Sequence, residues 1–279
     1  MASSQNAAVY TDMTPSKWAI SDAEKRSNGS MSAWVTTHEG GRSPSCQLIE
    51  ATIAFDAGYG VSDDKMSPED RKEKMLKVEM NIDISAPENA AFINFCAAVD
   101  DRVVEWGAAN GQKIFKQAMT KDFAAKLYRS LIKLPAPPEP GQPLKSYLPQ
   151  FRVKINNKDF VTDKNGNQKV NPNKTQIFVA TGKNTYKPYN SDYASILSRG
   201  CKVLPIASMS SIWVSGMSFG INVVASKILV WPNDARSASA FNFVLPVPMT
   251  LVEDAPGPSA AAAAGGGSTG GDDDESMDM

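Results

Sequence analysis

Residues 77–84 alternate polar and apolar at a period of two, with Lys77, Glu79, Asn81 and Asp83 set against Val78, Met80, Ile82 and Ile84. A helix would scatter such a set around its axis. A strand puts the four apolar side chains on one face, so the segment predicts a half-buried β-strand. Runs rich in β-branched and apolar residues recur at 48–55, 151–155, 176–180, 202–206, 211–214, 220–230 and 248–252, and Asn165-Gly166 marks a turn among them. Helical periodicity is confined to the middle of the chain. There Ser85-Ala86-Pro87-Glu88 resembles a capping box, and Phe92, Phe95, Cys96, Val99, Val103 and Trp106 follow at spacings of three and four. A second helical stretch follows Thr120, with Phe123, Leu127, Leu131 and Ile132 on its apolar side, and stops at the Pro-rich break 135–140.

About seven strands flanking one helical insertion at about 86–133 predict a mainly β (α+β) fold, a small barrel or a sandwich with an α excursion. A parallel sheet would need helices between nearly every strand pair. Residues 1–45, rich in Ser, Thr, Gly and Ala, read as an extended arm anchored by Trp18 and Trp34, and 62–76 as a charged loop or short helix. Residues 46–254 read as the folded domain. The segment 255–271 is Pro-, Ala- and Gly-rich and cannot bury apolar surface, so it reads as a flexible linker, with an acidic tip after it.

Charge divides along the same line. Residues 252–279 hold seven acids (Glu253, Asp254, Asp272, Asp273, Asp274, Glu275 and Asp278) and no Lys or Arg, so the body before them is net +6 and the tail −7. A linker of about 15 residues spans roughly 20 Å on average, enough for the tip to fold back onto a basic surface.

Several function classes find no residues to support them. There is no GxSxG, no Walker-type phosphate loop, no HExxH and no GxGxxG after a strand, so no catalytic residues are assigned. The single histidine, His38, sits in the polar arm and reads as a surface residue. Without a CxxC pair beside it, no zinc ligand set can be assembled, and neither a metal nor another cofactor is expected. Cys46, Cys96 and Cys201 are far apart and odd in number, which predicts free thiols in a reducing compartment. The N-terminus has no basic n-region followed by an apolar run, and no stretch approaches the roughly 18 apolar residues of a membrane span. The expectation is a soluble, intracellular protein without a membrane partner.

The basic residues concentrate between positions 145 and 202, where eleven Lys and Arg face three Asp. Among them are Lys145, Arg152, Lys154, Lys158, Lys174, Lys183, Lys187 and Lys202, interleaved with Tyr147, Phe151, Phe160, Phe178, Tyr186, Tyr189 and Tyr193. Cations that pair phosphates beside rings that stack bases are the requirements of a sequence-tolerant single-strand groove. Arg152 and Lys154 alternate with Phe151, Val153 and Ile155 and so should share one face, while Phe151 and Phe178 read as core. For Tyr186 and Tyr189 base contact and surface packing both remain open. Trp213 and Phe219 flank a glycine turn ahead of a strand that carries Lys227, and Trp213 reads equally as a stacking platform or as a core residue.

The order of these parts resembles the single-stranded-DNA-binding proteins of podovirus-type phages and their counterparts in large DNA viruses. The resemblance rests on the aromatic-basic strand at 147–155, the Asn/Gly/Lys-rich hairpin ending at 176–180, Gly200-Cys201-Lys202-Val203, the strand with Trp213, the glycine turn, and 223–230. It implies an OB-type barrel and an acidic tail that occupies the DNA groove until DNA displaces it. The candidate DNA contacts are then Arg152, Lys154, Lys158, Lys174, Lys183, Tyr186, Lys187, Tyr189, Lys202, Trp213, Phe219 and Lys227. Asp272, Asp273, Asp274, Glu275, Asp278 and Met279 become the autoinhibitory tip that recruits replication proteins such as polymerase, helicase or primase. A homodimer is compatible with this reading. The chain departs from the phage pattern in ending on Met279, where those proteins end on an aromatic residue, and in having two helical stretches. Two rivals remain open: a viral coat or scaffold β-sandwich lying against packaged nucleic acid, and an acidic-tailed binder of basic proteins resembling histone chaperones.

Overall fold

A computed structural model describes residues 8–26, 29–57, 77–134, 148–163, 166–182, 184–191, 193, 196–232 and 250–251. The charged segment 62–76, the Pro-rich break 135–140, and the linker and tail from 255 onward lie outside the described residues. The first strands are β1 (Ala8–Val9), β2 (Ala19–Ile20), β3 (Glu24–Lys25), β4 (Met31–Thr36), β5 (Ser45–Gln47), β6 (Ala51–Ile53) and β7 (Lys77–Asp83). Three helices follow, α1 (Ala90–Ala109), α2 (Gly111–Phe115) and α3 (Lys121–Leu127). The chain then returns to β8 (Ile132–Lys133), β9 (Gln150–Asn156), β10 (Phe160–Thr162), β11 (Gln168–Val170), β12 (Gln176–Gly182) and β13 (Thr185–Tyr189). The last are β14 (Lys202–Ser215), β15 (Ser218–Trp231) and β16 (Thr250–Leu251).

Period-two alternation builds the centre. In β9, Phe151, Val153 and Ile155 are buried while Arg152 and Lys154 are exposed. β7 lies antiparallel to β9 from Lys77 opposite Asn156 to Asp83 opposite Gln150, adding Met80 and Ile82 to the same core. The runs at 202–206 and 211–214 form one strand of 14 residues, β14, interrupted by register shifts at Ile206/Ala207 and Ser208/Ser211. It turns at Gly216 and Met217 into β15, with Gly216 in the left-handed region at φ +56° that a tight two-residue hairpin turn requires.

Among the described residues the result is a mainly β fold with a mixed sheet of 14 strands, and β10 and β11 form a separate two-stranded ladder. The main path runs β1-β5-β14-β6-β7-β9-β15-β12-β13-β16, with β2, β3 and β4 attached beside β14 and β8 beside β9. Among the described residues the sheet as a whole is not a closed barrel. Inside it, five strands each pair with two others of the set: β6 with β7, β7 with β9, β9 with β15, β15 with β14, and β14 with β6. Of these five pairings β9–β15 is parallel and the rest are antiparallel.

Helix α1 covers the core with the predicted face, burying Phe92, Phe95, Cys96, Val99, Val103 and Trp106. Each large apolar side chain so buried contributes about 1.5–3 kcal/mol. The ring of Phe92 meets Phe151 of β9 edge-on at 5.0 Å, joining helix to sheet. The expected capping box does not form. Pro87–Asn89 make a 3-10 turn instead, the N-cap Asn89 makes no side-chain cap bond, and the Ser85 amide donates to Asp83 Oδ1. Thr120 does cap α3, accepting from the Phe123 amide at 3.2 Å, but Phe123 itself is 40% exposed and Ala124 takes the buried place. The three cysteines are free and buried, and burial pushes the Cys46 thiol up to about 12. Among the described residues no helix is long and apolar enough to cross a membrane, and no cluster of three or more His, Cys, Asp or Glu could hold a metal ion.

Candidate nucleic-acid interface

On the face of the sheet opposite Phe151 and Val153, three hollows run into one another. The first, about 590 Å³, lies between β9, the start of β15 and the segment after α3, and is lined by Arg129, Lys133, Arg152, Lys154, Trp213 and Glu79 among others. The second, about 640 Å³, shares Glu79 and Lys154 with the first and adds Lys158, Val161 and Asn171. The third, also about 640 Å³, shares Asn156 and Val224 with the second and ends at Lys174, Ser226 and Lys227. Among the described residues seven cations and one carboxylate line this trough, a balance that favours a polyanion along its length.

Specific contacts orient the central cations. Lys154 Nζ donates to Asn222 Oδ1 at 2.7 Å, and Asn222 Nδ2 in turn donates to Ser211 Oγ at 3.0 Å. Arg152 meets Glu79 at 3.2 Å with both side chains more than 40% exposed, a pair worth about 0–1 kcal/mol that a phosphate can displace. Lys174 holds Asp159 at 2.6 Å in a similarly exposed pair. The half-buried indole of Trp213 packs over Gly220, its partner across the hairpin. A Cβ at Gly220 would stand 2.8 Å from the indole Cζ2, so only glycine leaves the ring its place.

The wall beyond Trp213 is held from inside the fold. The half-buried carboxylate of Asp100 on α1 accepts from the Tyr128 hydroxyl at 2.7 Å, from the Ser130 hydroxyl, and from the Leu131 amide at 3.2 Å. Burial raises the Asp100 pKa above the usual carboxylate value, with those three hydrogen bonds opposing the shift. The Arg129 amide donates to the Phe219 carbonyl at 2.8 Å, which ties the same segment to β15. Arg129, Ser130 and Lys133 thereby reach the trough.

Solved structures were found that match parts of the fold at low identity. Two are the single-stranded DNA-binding protein from bacteriophage Enc34 as a C-terminal truncation, and the same phage protein in complex with ssDNA. The first is 9% identical with a TM-score of 0.35, covering 79% of this chain and 98% of that one. The second is 11% identical, also at 0.35, covering 76% and 96%. No protein-family model and no curated protein sequence matches the chain.

Of the residues singled out from the sequence, the trough gathers Arg152, Lys154, Lys158, Lys174, Trp213 and Lys227. Others stand apart from it. Lys202 pairs with Glu50 at 2.9 Å where β14 meets β6. Tyr186, Lys187 and Tyr189 lie on β13, two strands beyond β15, with the Tyr186 ring edge-on to Phe178 at 5.3 Å. Phe219 is a correction: its side chain is fully buried among Trp106, Phe115 and Tyr128, so it belongs to the core and can offer no face to a base. Lys183 and the tail residues Asp272, Asp273, Asp274, Glu275, Asp278 and Met279 lie outside the described residues. Arg129 and Lys133 escaped the sequence reading because the segment through Ile132 reads there as part of the second helical stretch, whereas α3 ends at Leu127 and Ile132–Lys133 form β8. Long-range contacts bring that segment to the groove: the hydrogen bonds to Asp100, the Arg129–Phe219 backbone bond and the pairing of β8 with β9.

Proposed function

We propose that this chain binds and coats single-stranded DNA without sequence specificity, through the trough that crosses β7, β9 and β15. The charge of the trough, seven cations to one carboxylate beside the Trp213 indole, carries the reading. Cations neutralise the backbone phosphates, whose released counterions drive binding, while an indole stacks any base because every base has a π-face. Duplex DNA keeps its bases stacked inside and offers such a ring nothing.

The ring of five pairings reads as an OB-type arrangement. Taken in chain order, β6, β7, β9, β14 and β15 pair as first with second, second with third, third with fifth, fifth with fourth and fourth with first. Helix α1 is inserted between the second and the third. Oligonucleotides in that fold use the face of strands two and three, which here are β7 and β9, the floor of the trough. Residues 46–254 then form the binding domain, 1–45 an N-terminal arm, and 255–279 a linker and tail. The tail competes with DNA for the cations, and once displaced it is free to recruit replication proteins.

The test is a fluorescence-anisotropy titration of labelled oligo-dT against the full-length chain and a truncation after Glu253, at two salt concentrations, with duplex DNA as competitor. Salt-sensitive binding of the single strand that tightens on truncation is the expected result. Binding that duplex competes away equally overturns the single-strand preference, and unchanged affinity on truncation removes the role given to the tail.

A further inference from the structure

Trp34 has no place in the trough, yet the fold holds it in a definite setting. It lies on β4, where Ala33 and Val35 are fully buried and Trp34, on the opposite face, is 50% exposed. The guanidinium of Arg26 stands over the indole at 5.2 Å from its centroid, and Arg26 Nε donates to Ser32 Oγ at 2.6 Å, which fixes the cation beside the ring.

Register connects this site to the trough. Trp34 is paired with Ser211 of β14, and Ser211 with Asn222 of β15. Asn222 is the residue that accepts from Lys154. Ser32, two residues before Trp34, is paired with Trp213. Paired residues in antiparallel strands share a face, so Trp34, Ser211 and Asn222 form one row across the outer surface, with Trp213 diagonal to Trp34. Three strand spacings separate β4 from β9, about 15 Å in all.

We infer that Trp34, with Arg26 over its ring, is a second nucleobase-stacking site, which carries the single-strand path from the trough across β15 and β14 onto the N-terminal strand β4. The inference rests on the single-strand-binding reading above and deepens it. Two indoles, Trp213 and Trp34, alternate along the path with the cations Arg152, Lys154 and Arg26, so that bases stack while phosphates pair. The 1–45 segment is then part of the binding surface.

The experiment uses the full-length chain and an oligo-dT longer than the trough. Trp34→Ala should weaken binding about 5- to 150-fold, the range that loss of one stacked base gives. Trp34→Phe should retain most of the affinity, since a ring is kept. In wild type, 5-iododeoxyuridine placed along the oligomer should photocross-link to the tryptic peptide 27–42, which holds Trp34. The peptide carries the test should Trp34→Ala fail to fold. Arg152→Gln/Lys154→Gln serves as the control for the trough. If that double variant loses affinity while Trp34→Ala binds like wild type and peptide 27–42 carries no cross-link, the Trp34 site is overturned and the trough stands. Should wild type fail to bind oligo-dT at all, both readings fall together.

Discussion

Trp213 and Phe219 face opposite sides of the β14–β15 hairpin. Trp213 is paired with Gly220 on the outer face, and Phe219 is paired with Val214 on the inner one, under α1. The place that a Cβ on Gly107 of α1 would occupy is filled by the Phe219 ring, so the ring lies directly against the helix backbone there. Phe219→Ala should therefore cost about 3–5 kcal/mol, read as a lower urea midpoint, while oligo-dT affinity measured below the transition stays at the wild-type value. A variant with normal stability and weakened DNA binding would return Phe219 to the binding face. The parity of the two aromatics depends on turn length: Gly216 and Met217 alone separate Ser215 from its partner Ser218. Sequence places a glycine turn between the rings but leaves its length open, and each residue added to the turn exchanges the faces. Arg152 and Lys154 needed no such knowledge, because the alternation with Phe151, Val153 and Ile155 is local.

At the scale of elements, the wall of the trough depends on a clasp between α1 and the segment that follows α3. Asp100 takes three donors there from Tyr128, Ser130 and Leu131, and its partial removal from water raises its pKa. From the ordinary value of 3.8 up to the raised one, the folded chain keeps a proton that the unfolded chain has shed. Stability from this group is therefore full below 3.8 and declines as pH rises through the folded value. Asp100→Asn removes that slope. Denaturant midpoints of wild type and variant, followed from pH 3.8 upward, should change relative to one another across the window; a constant difference would show that Asp100 titrates as it does in the unfolded chain. α1 was legible from periodicity, as were β7 and β9; the apolar face read for α3 was not, since Phe123 is exposed and Leu131 and Ile132 lie beyond the end of the helix at Leu127. The clasp was not, since its members are separated by 28 or more positions and only the fold brings Asp100 to Tyr128. The two runs read as separate strands in 202–214 merge into β14 for a related reason. Bulges interrupt the alternation without ending the pairing.

At the scale of the whole molecule, the charge asymmetry and the sheet topology answer to different kinds of information. The +6 body and −7 tail are plain in the sequence, and the trough concentrates part of that positive charge on one face. The ring of pairings is a product of contacts between segments distant along the chain, with β6 meeting β14 and β9 running parallel to β15, and no local pattern encodes them. The same holds for Lys174 and Lys227, which come together through the parallel pairing of β12 and β15 that sets Gln176 beside Lys227. The central claim, that the trough binds the single-strand backbone, is tested most directly by the salt dependence of oligo-dT affinity in wild type and in Arg152→Gln/Lys154→Gln. The account predicts weaker binding by the double variant and a plot of log affinity against log salt that is shallower by about 1.4, the loss of two phosphate contacts. Equal affinity and equal slope in the two proteins would contradict it.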